Sequence, residues 1–261
     1  MASVTDLAFP GALPPEAAFP LDLLAVAPHP DDAELGMGGT LRLHARAGWR
    51  VGILDLTRGE LGTNGTPEER LAESAQAAAC LGLAWRGNLG LADRGLDAPG
   101  AALALAAALR RVRPQVLCIP HPEDPHPDHR AAHALCLEAV FDAGLARRRL
   151  PEPPFRPRVV LRYFINGWAE APLAVPVGGV YDDKRRAVEA HRSQFDPDRP
   201  DAAPTRLNRG QMWALVEARD RLVGARLGGG PAEAFSPVTA LVCADWTWLL
   251  GPDRAPRPAD R

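Results

Sequence analysis

Residues 21–32, with the sequence LDLLAVAPHPDD, join a short apolar run to a cluster of polar side chains. The run Leu21–Ala27 is typical of a β-strand that is buried on both faces of a parallel sheet. The residues that follow it include a histidine and two aspartates. Because open α/β sheets bind ligands in the loops after the carboxyl ends of their strands, this stretch predicts both the fold class and the place of a site.

Strands and helices alternate along the N-terminal half of the chain. Two further apolar runs, residues 49–57 and 115–120, predict buried strands. Apolar spacing and capping residues predict helices at residues 40–48, 66–81, 101–112 and 128–143. This alternation predicts βαβ units and therefore a Rossmann-like α/β fold, with a mostly parallel sheet and helices on both faces.

The character of the sequence changes after Pro151. Shorter segments there predict a smaller C-terminal α/β elaboration, with strands at residues 159–166, 175–180 and 238–243 and helices at 183–194 and 211–227. Residues 1–20, rich in proline and alanine, predict an extended N-terminal arm, and residues 251–261 predict a frayed tail. We expect one domain over residues 21–250, since this length is near the upper limit for a single hydrophobic core.

The composition excludes several classes of protein. The 261 residues include 30 Lys and Arg against 32 Asp and Glu, and the formal net charge of −2 argues against a nucleic-acid-binding surface. No apolar run approaches the ~20 residues that span a bilayer, and the N-terminus does not resemble a signal peptide. The four cysteines lie far apart, which is typical of reduced thiols. We expect a cytoplasmic homo-oligomer that acts on a small molecule, without a nucleic-acid or membrane partner.

A second polar cluster follows the predicted strand 115–120. Residues 121–129, HPEDPHPDH, hold three histidines, and a fourth, His133, lies one helical turn further on. We expect this loop to lie beside the loop after Ala27, because both leave the same edge of the sheet. A catalytic zinc ion needs about three N or O ligands and an open position for water. A carboxylate outside the ligand set can take the proton of that water. The two loops contain all these groups.

Spacing alone leaves the ligand set open. A single His-Pro-Asp sequence is usually a turn, but two His/Asp clusters at neighbouring strand ends favour a metal or catalytic site. His129 and His133 lie four residues apart on one helix face, which suits a pair of zinc ligands. His121 could be a ligand or a strand cap, and either Asp31 or Asp32 could bind the ion.

Two motifs together resemble the paired signature of the PIG-L/LmbE-like zinc N-deacetylases: PHPDDAE at residues 28–34 and HPDH at 126–129. Further segments are similar to the bacillithiol-type members of that family, which remove acetate from N-acetylglucosaminyl malate: residues 57–66, 93–96, 138–144, 165–167, 193–195 and 217–219. The resemblance covers residues 23–243. It implies a metal-dependent hydrolase that cleaves the amide bond of an N-acetylated amino sugar.

The resemblance also implies roles for the residues of both motifs. His29, Asp32 and His129 would hold the ion, which is Zn²⁺ in the family and could be replaced by Fe²⁺. Asp31 would be the general base that takes the proton of the attacking water. The remaining histidines of the second cluster then become structural, namely His121 and His133.

Further roles follow from the same resemblance. His126 would stabilise the oxyanion and act as the general acid, and Asp128 would orient it. Arg58 matches the family position that contacts the sugar end of the substrate, and Asn64 in the same loop is expected to bind substrate. This chain has Pro125 where bacillithiol-type members usually carry an arginine. We therefore expect Arg58 to contribute more of the recognition, since arginine is the natural bidentate partner of a carboxylate.

The expected function is a zinc-dependent deacetylase of N-acetylglucosaminyl malate in bacillithiol biosynthesis. One alternative is a deacetylase of another N-acetyl sugar, such as another thiol-cofactor precursor or a chitooligosaccharide. Another is a catalytically silent protein that binds a metal or a sugar. Asp31 argues against a catalytically silent protein, because a protein that only binds a metal or a sugar does not need a carboxylate in this loop that is not itself a ligand.

Overall fold

The computed structural model describes residues 20–200 and 202–242 of the chain. The predicted tail and all but the last residue of the predicted arm lie outside these ranges, so both remain predictions. The strands are β1 (Leu23–Ala27), β2 (Val51–Thr57), β3 (Trp85–Leu91), β4 (Val116–Pro120), β5 (Val159–Tyr163), β6 (Leu173–Pro176) and β7 (Ala232–Pro237). The helices are α1 (Asp32–Arg46), α2 (Pro67–Leu81), α3 (Ala101–Val112), α4 (Pro127–Ala143), α5 (Tyr181–Glu189), α6 (Arg192–Phe195) and α7 (Gln211–Arg226).

The strands form one sheet in the order β3-β2-β1-β4-β5-β7-β6. Neighbours from β3 to β5 are parallel, whereas β7 runs antiparallel to both β5 and β6. The chain moves from β1 outward to β2 and β3, and then returns to place β4 on the other side of β1. Such a reversal leaves a crevice at the carboxyl ends of the two central strands, where open α/β sheets bind ligands.

Helices cover both faces of the sheet and bury an apolar layer on each. Successive side chains of β1 point to opposite faces. Leu24 and Val26 pack with the α3 and α4 layer, while Ala25 and Ala27 pack with the layer of α1, α2 and α5. The predicted Rossmann-like α/β fold is therefore confirmed, as is the smaller C-terminal elaboration, which consists of β5 to β7 and α5 to α7. Within the described ranges, no helix is long and apolar enough to cross a membrane.

Helix α1 begins at Asp32, well before the predicted start at Thr40. Its backbone is interrupted at Met37, where φ is −151°. The glycines around this break predict no helix, because glycine disfavours helix interiors. Close packing explains their presence: a Cβ atom at Gly36 would lie 2.3 Å from the ring of Tyr163 on β5. This packing holds the N-terminus of α1 against the central strands, beside the crevice.

Strand β3 is absent from the sequence prediction because polar residues interrupt its apolar pattern. The side chain of Arg86 on this strand is 8% exposed and donates hydrogen bonds of 2.9 and 3.0 Å to the carboxylate of Asp55 on β2. It also forms an ion pair with Glu34 of α1. Asn88 is buried and donates to a backbone carbonyl oxygen of β2. Polar side chains are therefore accommodated in this strand because neighbouring elements supply their hydrogen-bond and ion-pair partners, and the sequence of the strand is not apolar.

The predicted closing strand, residues 238–243, is wrong, because β7 ends at Pro237 and residue 243 lies outside the described residues. β7 carries the buried carboxylate of Glu233, which accepts a hydrogen bond of 2.7 Å from Lys184. Its sequence therefore does not read as an apolar strand. The strand predicted at 175–180 is the shorter and earlier β6, followed by a 3₁₀ turn, and the helix predicted at 183–194 is divided into α5 and α6.

Candidate active site

The two polar loops meet at the crevice between β1 and β4. His29 follows β1, His126 caps the N-terminus of α4, and His129 lies in the first turn of that helix. The ring centroid of His29 is 5.0 Å from that of His126 and 5.7 Å from that of His129. The rings of His126 and His129 stack with centroids 4.6 Å apart. The structure thus brings the loops together, as their positions after neighbouring parallel strands predict.

Asp32 lies between two of these imidazoles. Its Oδ2 atom is 3.0 Å from Nδ1 of His29 and 3.3 Å from Nε2 of His129. In a tetrahedral zinc site with metal–ligand distances of about 2.0–2.1 Å, ligand atoms lie about 3.3 Å apart. Each of the two imidazoles therefore lies at a distance from Asp32 that suits two ligands of one ion. Two groups of three side chains have possible ligand atoms within 4.8 Å of one another: His29 with His126 and His129, and His29 with Asp93 and Asp128.

In both His29 and His129, the ring nitrogen that does not face Asp32 faces another carboxylate. Nε2 of His29 is 3.2 Å from both Asp128 and Asp93, and Nδ1 of His129 is 3.0 Å from Asp124. Burial lowers the pKa of both imidazoles, but the carboxylates outweigh it, raising the pKa of His29 and bringing the pKa of His129 to about 9. Metal-binding histidines commonly donate their other N–H to a carboxylate, which fixes the ring. The donor set therefore fits a divalent metal ion.

Asp31 is the carboxylate of the first loop that lies outside this donor set. Its backbone is left-handed, with φ of 114°, which costs a non-glycine residue on the order of 1–3 kcal/mol. The side chain is buried, and its Oδ2 atom lies 3.2 Å from Nη2 of Arg70. Burial raises the pKa of the Asp31 carboxyl to about 6, and the guanidinium of Arg70 opposes that rise. A carboxylate held beside a donor set in this way suits a general base.

His126 is held by a backbone group rather than by the side chain of Asp128. Its Nδ1 atom accepts a hydrogen bond of 3.2 Å from the backbone N–H of Asp128, as befits a helix cap. The neutral ring therefore carries its proton on Nε2. The carboxylate of Asp128 instead contacts His29 and accepts a hydrogen bond of 3.0 Å from the backbone N–H of Arg94. Asp128 therefore contacts His126, as its expected orienting role requires, through its backbone N–H and not through its carboxylate.

These groups line a pocket of about 360 Å³, a volume within the range of about 300–1,000 Å³ that is usual for small-molecule sites. Its polar and charged lining consists of His29, Asp31, Asp32, Thr63, Arg70, Asp93, Arg94, His126, His129, Asn166, Gln194 and Thr205. Its remaining lining residues are Leu35, Leu61, Gly62 and Leu207.

Two residues expected to bind substrate do not line this pocket. Arg58 follows β2, but its guanidinium lies beside Gly90, where an added Cβ atom would be 3.4 Å from Nη2. The side chain of Asn64 is bonded through both polar atoms to the backbone of Ala203, at 2.9 Å each. Asn64 therefore joins two loops at the rim. The arginine on the exposed wall of the pocket is Arg94.

The other two histidines of the second cluster lie outside the donor group. His121 stacks on Phe164 with ring centroids 4.5 Å apart. Nδ1 of His133 is 2.9 Å from the carbonyl oxygen of Pro120. These contacts match the structural roles that the resemblance implies for both residues.

Four residues at the site have no role that the sequence alone predicts. Asp124, Asp93 and Arg94 lie inside polar or family-like segments, so a signal is present. The partners of Asp93 and Arg94 are distant in the sequence, whereas Asp124 lies only five residues before His129. Arg70 gives no signal, because a single arginine on an amphipathic helix is usually solvated. In the structure its two terminal nitrogens bond to the carbonyl oxygens of Pro30 and Gly59 and to Asp31.

Comparison with known proteins identifies the family. Residues 24–140 match the family described as PIG-L, GlcNAc-PI de-N-acetylase. Diacetylchitobiose deacetylase of Thermococcus kodakarensis is 31% identical over 192 residues, which cover 67% of this chain and 71% of that protein. A Bacillus cereus protein named "Probable N-acetyl-alpha-D-glucosaminyl L-malate deacetylase 2" is 31% identical over 193 residues, covering 67% of this chain and 84% of that protein.

A solved structure agrees with this assignment of the fold. The conserved protein TT1542 from Thermus thermophilus superposes with a TM-score of 0.78 at 44% identity, covering 87% of this chain and 99% of that chain. The chain belongs to the PIG-L family, which confirms the resemblance drawn from the two motifs. It is an N-deacetylase, a hydrolase of amide bonds.

Proposed function

We propose that this chain is a metal-dependent deacetylase of an N-acetylglucosamine derivative. The observation that carries the proposal is the arrangement around Asp32. Two imidazoles, those of His29 and His129, each face Asp32 with one nitrogen and a buried carboxylate with the other. Asp31 lies beside this set without belonging to it. Ligand-type residues and a separate base are the parts that metal-assisted hydrolysis needs.

His29, Asp32 and His129 would hold the ion, which we take to be Zn²⁺, with Fe²⁺ as the alternative. When bound, a divalent ion polarises an amide carbonyl and lowers the pKa of a water molecule beside it. The carboxylates of Asp128 and Asp124 would keep the two rings oriented by accepting their outer N–H groups.

Asp31 would accept the proton of the attacking water as the new C–O bond forms. Arg70 supports this role in two ways. Its Nη2 atom contacts the Asp31 carboxylate at 3.2 Å and the Pro30 carbonyl oxygen at 2.6 Å, so it fixes both the side chain and the strained turn. Arg70 is therefore a positioning residue for the base.

His126 would act on the other side of the reacting carbonyl. Since Nδ1 accepts from a backbone N–H, Nε2 is free to donate to the oxyanion of the tetrahedral intermediate. Breaking the C–N bond requires a proton on the departing nitrogen. The neutral ring of His126 has only its Nε2 proton and would become an imidazolate by giving it up, so we assign the delivery to Asp31, which holds the proton taken from the attacking water. The products are acetate and the free amine of the sugar.

The substrate that we propose is N-acetylglucosaminyl malate. The resemblance of segments outside the two motifs to bacillithiol-type deacetylases supports it, as does the name of the B. cereus relative. A chitooligosaccharide is the second candidate, because the T. kodakarensis relative is named for diacetylchitobiose.

Acetate release from a small panel of substrates tests this function. The panel consists of N-acetylglucosaminyl malate, N,N′-diacetylchitobiose and methyl N-acetylglucosaminide, each incubated with protein stripped by a chelator and reloaded with Zn²⁺ or Fe²⁺. We expect release that depends on the metal, with the highest kcat/KM for the malate glycoside. Absence of release from all three would reject a glucosamine deacetylase. A preference for the disaccharide would select the second candidate.

Metal content provides a test of the ligand set that is independent of activity. We expect one divalent ion per chain in the parental protein and very little in the His129→Ala variant. His133→Ala is the matched control, because His133 lies one turn further on the same helix and bonds to Pro120. It should retain the ion. Equal metal content in His129→Ala and the parental protein would contradict the assignment.

A further inference from the structure

Two arginines line the pocket, Arg70 and Arg94, and they differ in how far their donors are already bonded. Arg70 is buried, and its terminal nitrogens already bond to Asp31, Pro30 and Gly59. The side chain of Arg94 is 53% exposed. Among the described residues its guanidinium makes a single hydrogen bond, of 3.3 Å, to Oδ1 of Asp128. Arg94 is therefore the arginine of the pocket whose donors can turn to a ligand.

The backbone of Arg94 is held firmly although its side chain is not. Its N–H donates to Oδ2 of Asp128 at 3.0 Å. Its φ of 62° is left-handed, and the turn is closed by a hydrogen bond of 3.0 Å from Gly95 N–H to the Ala92 carbonyl oxygen. Such a conformation is uncommon for a residue other than glycine and favours a functional explanation. A residue with a fixed backbone and a guanidinium that can change partners is suited to binding one part of a substrate.

The position of Arg94 indicates which part of a substrate it would meet. Its partner Asp128 lies 3.2 Å from Nε2 of His29. Arg94 is therefore separated from the proposed metal ligand His29 by a single side chain, that of Asp128. In an N-acetylglucosaminide the reacting amide is on C2 of the sugar, and the aglycone is attached to the adjacent C1. The aglycone therefore lies beside the reacting centre, within the zone that Arg94 borders.

We infer that Arg94 binds a carboxylate of the aglycone, which makes it the residue that selects N-acetylglucosaminides with an acidic aglycone; this inference rests on the proposed deacetylase function. A guanidinium presents parallel N–H donors that match a carboxylate in a bidentate pair. The contact with Asp128 is long, at 3.3 Å, and the buried carboxylate keeps His29 and the backbone N–H of Arg94 as partners when the guanidinium turns to a ligand. Arg58 does not meet this need, since its guanidinium lies beside Gly90.

The test compares Arg94→Met, Arg94→Lys and the control Arg58→Met on two substrates, N-acetylglucosaminyl malate and methyl N-acetylglucosaminide, at equal metal content. Arg94→Met should lower kcat/KM for the malate glycoside roughly 10- to 100-fold, mainly through KM, as expected for the loss of a charged hydrogen-bonded pair. The neutral glycoside should change far less. Arg94→Lys should be intermediate because lysine keeps the charge but not the bidentate geometry. Arg58→Met should match the parental protein on both substrates.

Binding of the deacetylated product, glucosaminyl malate, gives a second readout by calorimetry. Its Kd should rise by a similar factor in Arg94→Met and stay unchanged in Arg58→Met. An equal loss on both glycosides would overturn the inference and assign Arg94 to the sugar ring or to Asp128, and no loss on either would also overturn it. If the parental protein deacetylates both glycosides equally well, the proposed function stands and the inference fails. If it deacetylates neither of these glycosides nor N,N′-diacetylchitobiose, both fail.

Discussion

Replacing Asp31 with asparagine should lower kcat roughly 10²–10⁴-fold, the usual contribution of a general base, while the metal content stays at the parental level. Asparagine has nearly the same shape as aspartate but cannot accept the proton of the attacking water at neutral pH. Like aspartate, it tolerates the left-handed backbone at this position better than most residues other than glycine. The fold and the donor set should therefore survive the change.

Asp32→Asn is the matched comparison for that experiment, because the same substitution is made one residue further on. Asp32 contacts both His29 and His129, so its neutral variant should lose the metal and the activity together. Acetate release and metal content are measured on the same preparations. Two results would reject the division of roles: a parental rate in Asp31→Asn, or parental metal content in Asp32→Asn.

The parallel half of the fold could be predicted because its strands are buried on both faces. The runs that form β1, β2 and β4 are apolar with little interruption, and a sheet covered on both sides selects that pattern. β3 could not be found in this way. Its Arg86 is satisfied by Asp55 and Glu34, and those partners come from other elements of the folded chain.

The donor set could be predicted for a similar reason. His29 and Asp32 are three residues apart after the end of β1, and His129 lies in the first turn of the helix after β4, so chain position alone brings them near each other. The supporting residues depend on tertiary contacts. Asp93 reaches His29 from the loop after β3, 64 residues further along the chain. Arg70 reaches Asp31 from α2, which no local pattern indicates.

Arg58 shows the limit of arguing from position after a strand. It follows β2, and that strand ends at the same edge of the sheet as β1. The direction of its side chain is set by the loop, however, and the guanidinium lies against the end of β3. Arg94, after β3, lines the pocket instead. The carboxyl edge of the sheet is predictable from the sequence, whereas the loop residue that faces inward is not.

The C-terminal elaboration stabilises the helix α1, which carries the site residue Asp32. In the break of α1, the backbone N–H groups of Gly39 and Thr40 donate to Glu233 at 3.0 and 2.6 Å. Nη2 of Arg219 donates to the carbonyl oxygen of Leu35 at 2.9 Å, on the other side of the break. Backbone groups that the break leaves unpaired are thereby satisfied. The short first segment of α1, which carries Asp32, is held in place by residues of α7 and β7.

Lys184, the single lysine of the chain, balances the negative charge of the buried carboxylates in this elaboration. Lys184→Met should therefore lower the free energy of unfolding by about 3–5 kcal/mol. Its Nζ atom is fully buried and donates to Asp220 at 2.6 Å and to Glu233 at 2.7 Å. Methionine has a similar length but no charge, so both carboxylates would stay buried with less compensation. Breaking a buried pair from one side costs more than the pair itself contributes, because the remaining charge has lost its partner.

Urea unfolding of Lys184→Met and of Arg185→Met measures this cost, provided that the free energy of unfolding depends on urea concentration with the same slope (m-value) in both variants. Arg185 is the next residue on α5 and pairs with Glu189 on the exposed face, so its loss should change the stability by roughly 0.5 kcal/mol or less. Lys184→Met combined with Asp220→Asn should recover part of the loss, since one uncompensated charge is removed while Glu233 still accepts the N–H groups of Gly39 and Thr40. Equal stability of Lys184→Met and Arg185→Met would show that the buried lysine does not hold the C-terminal elaboration to α1.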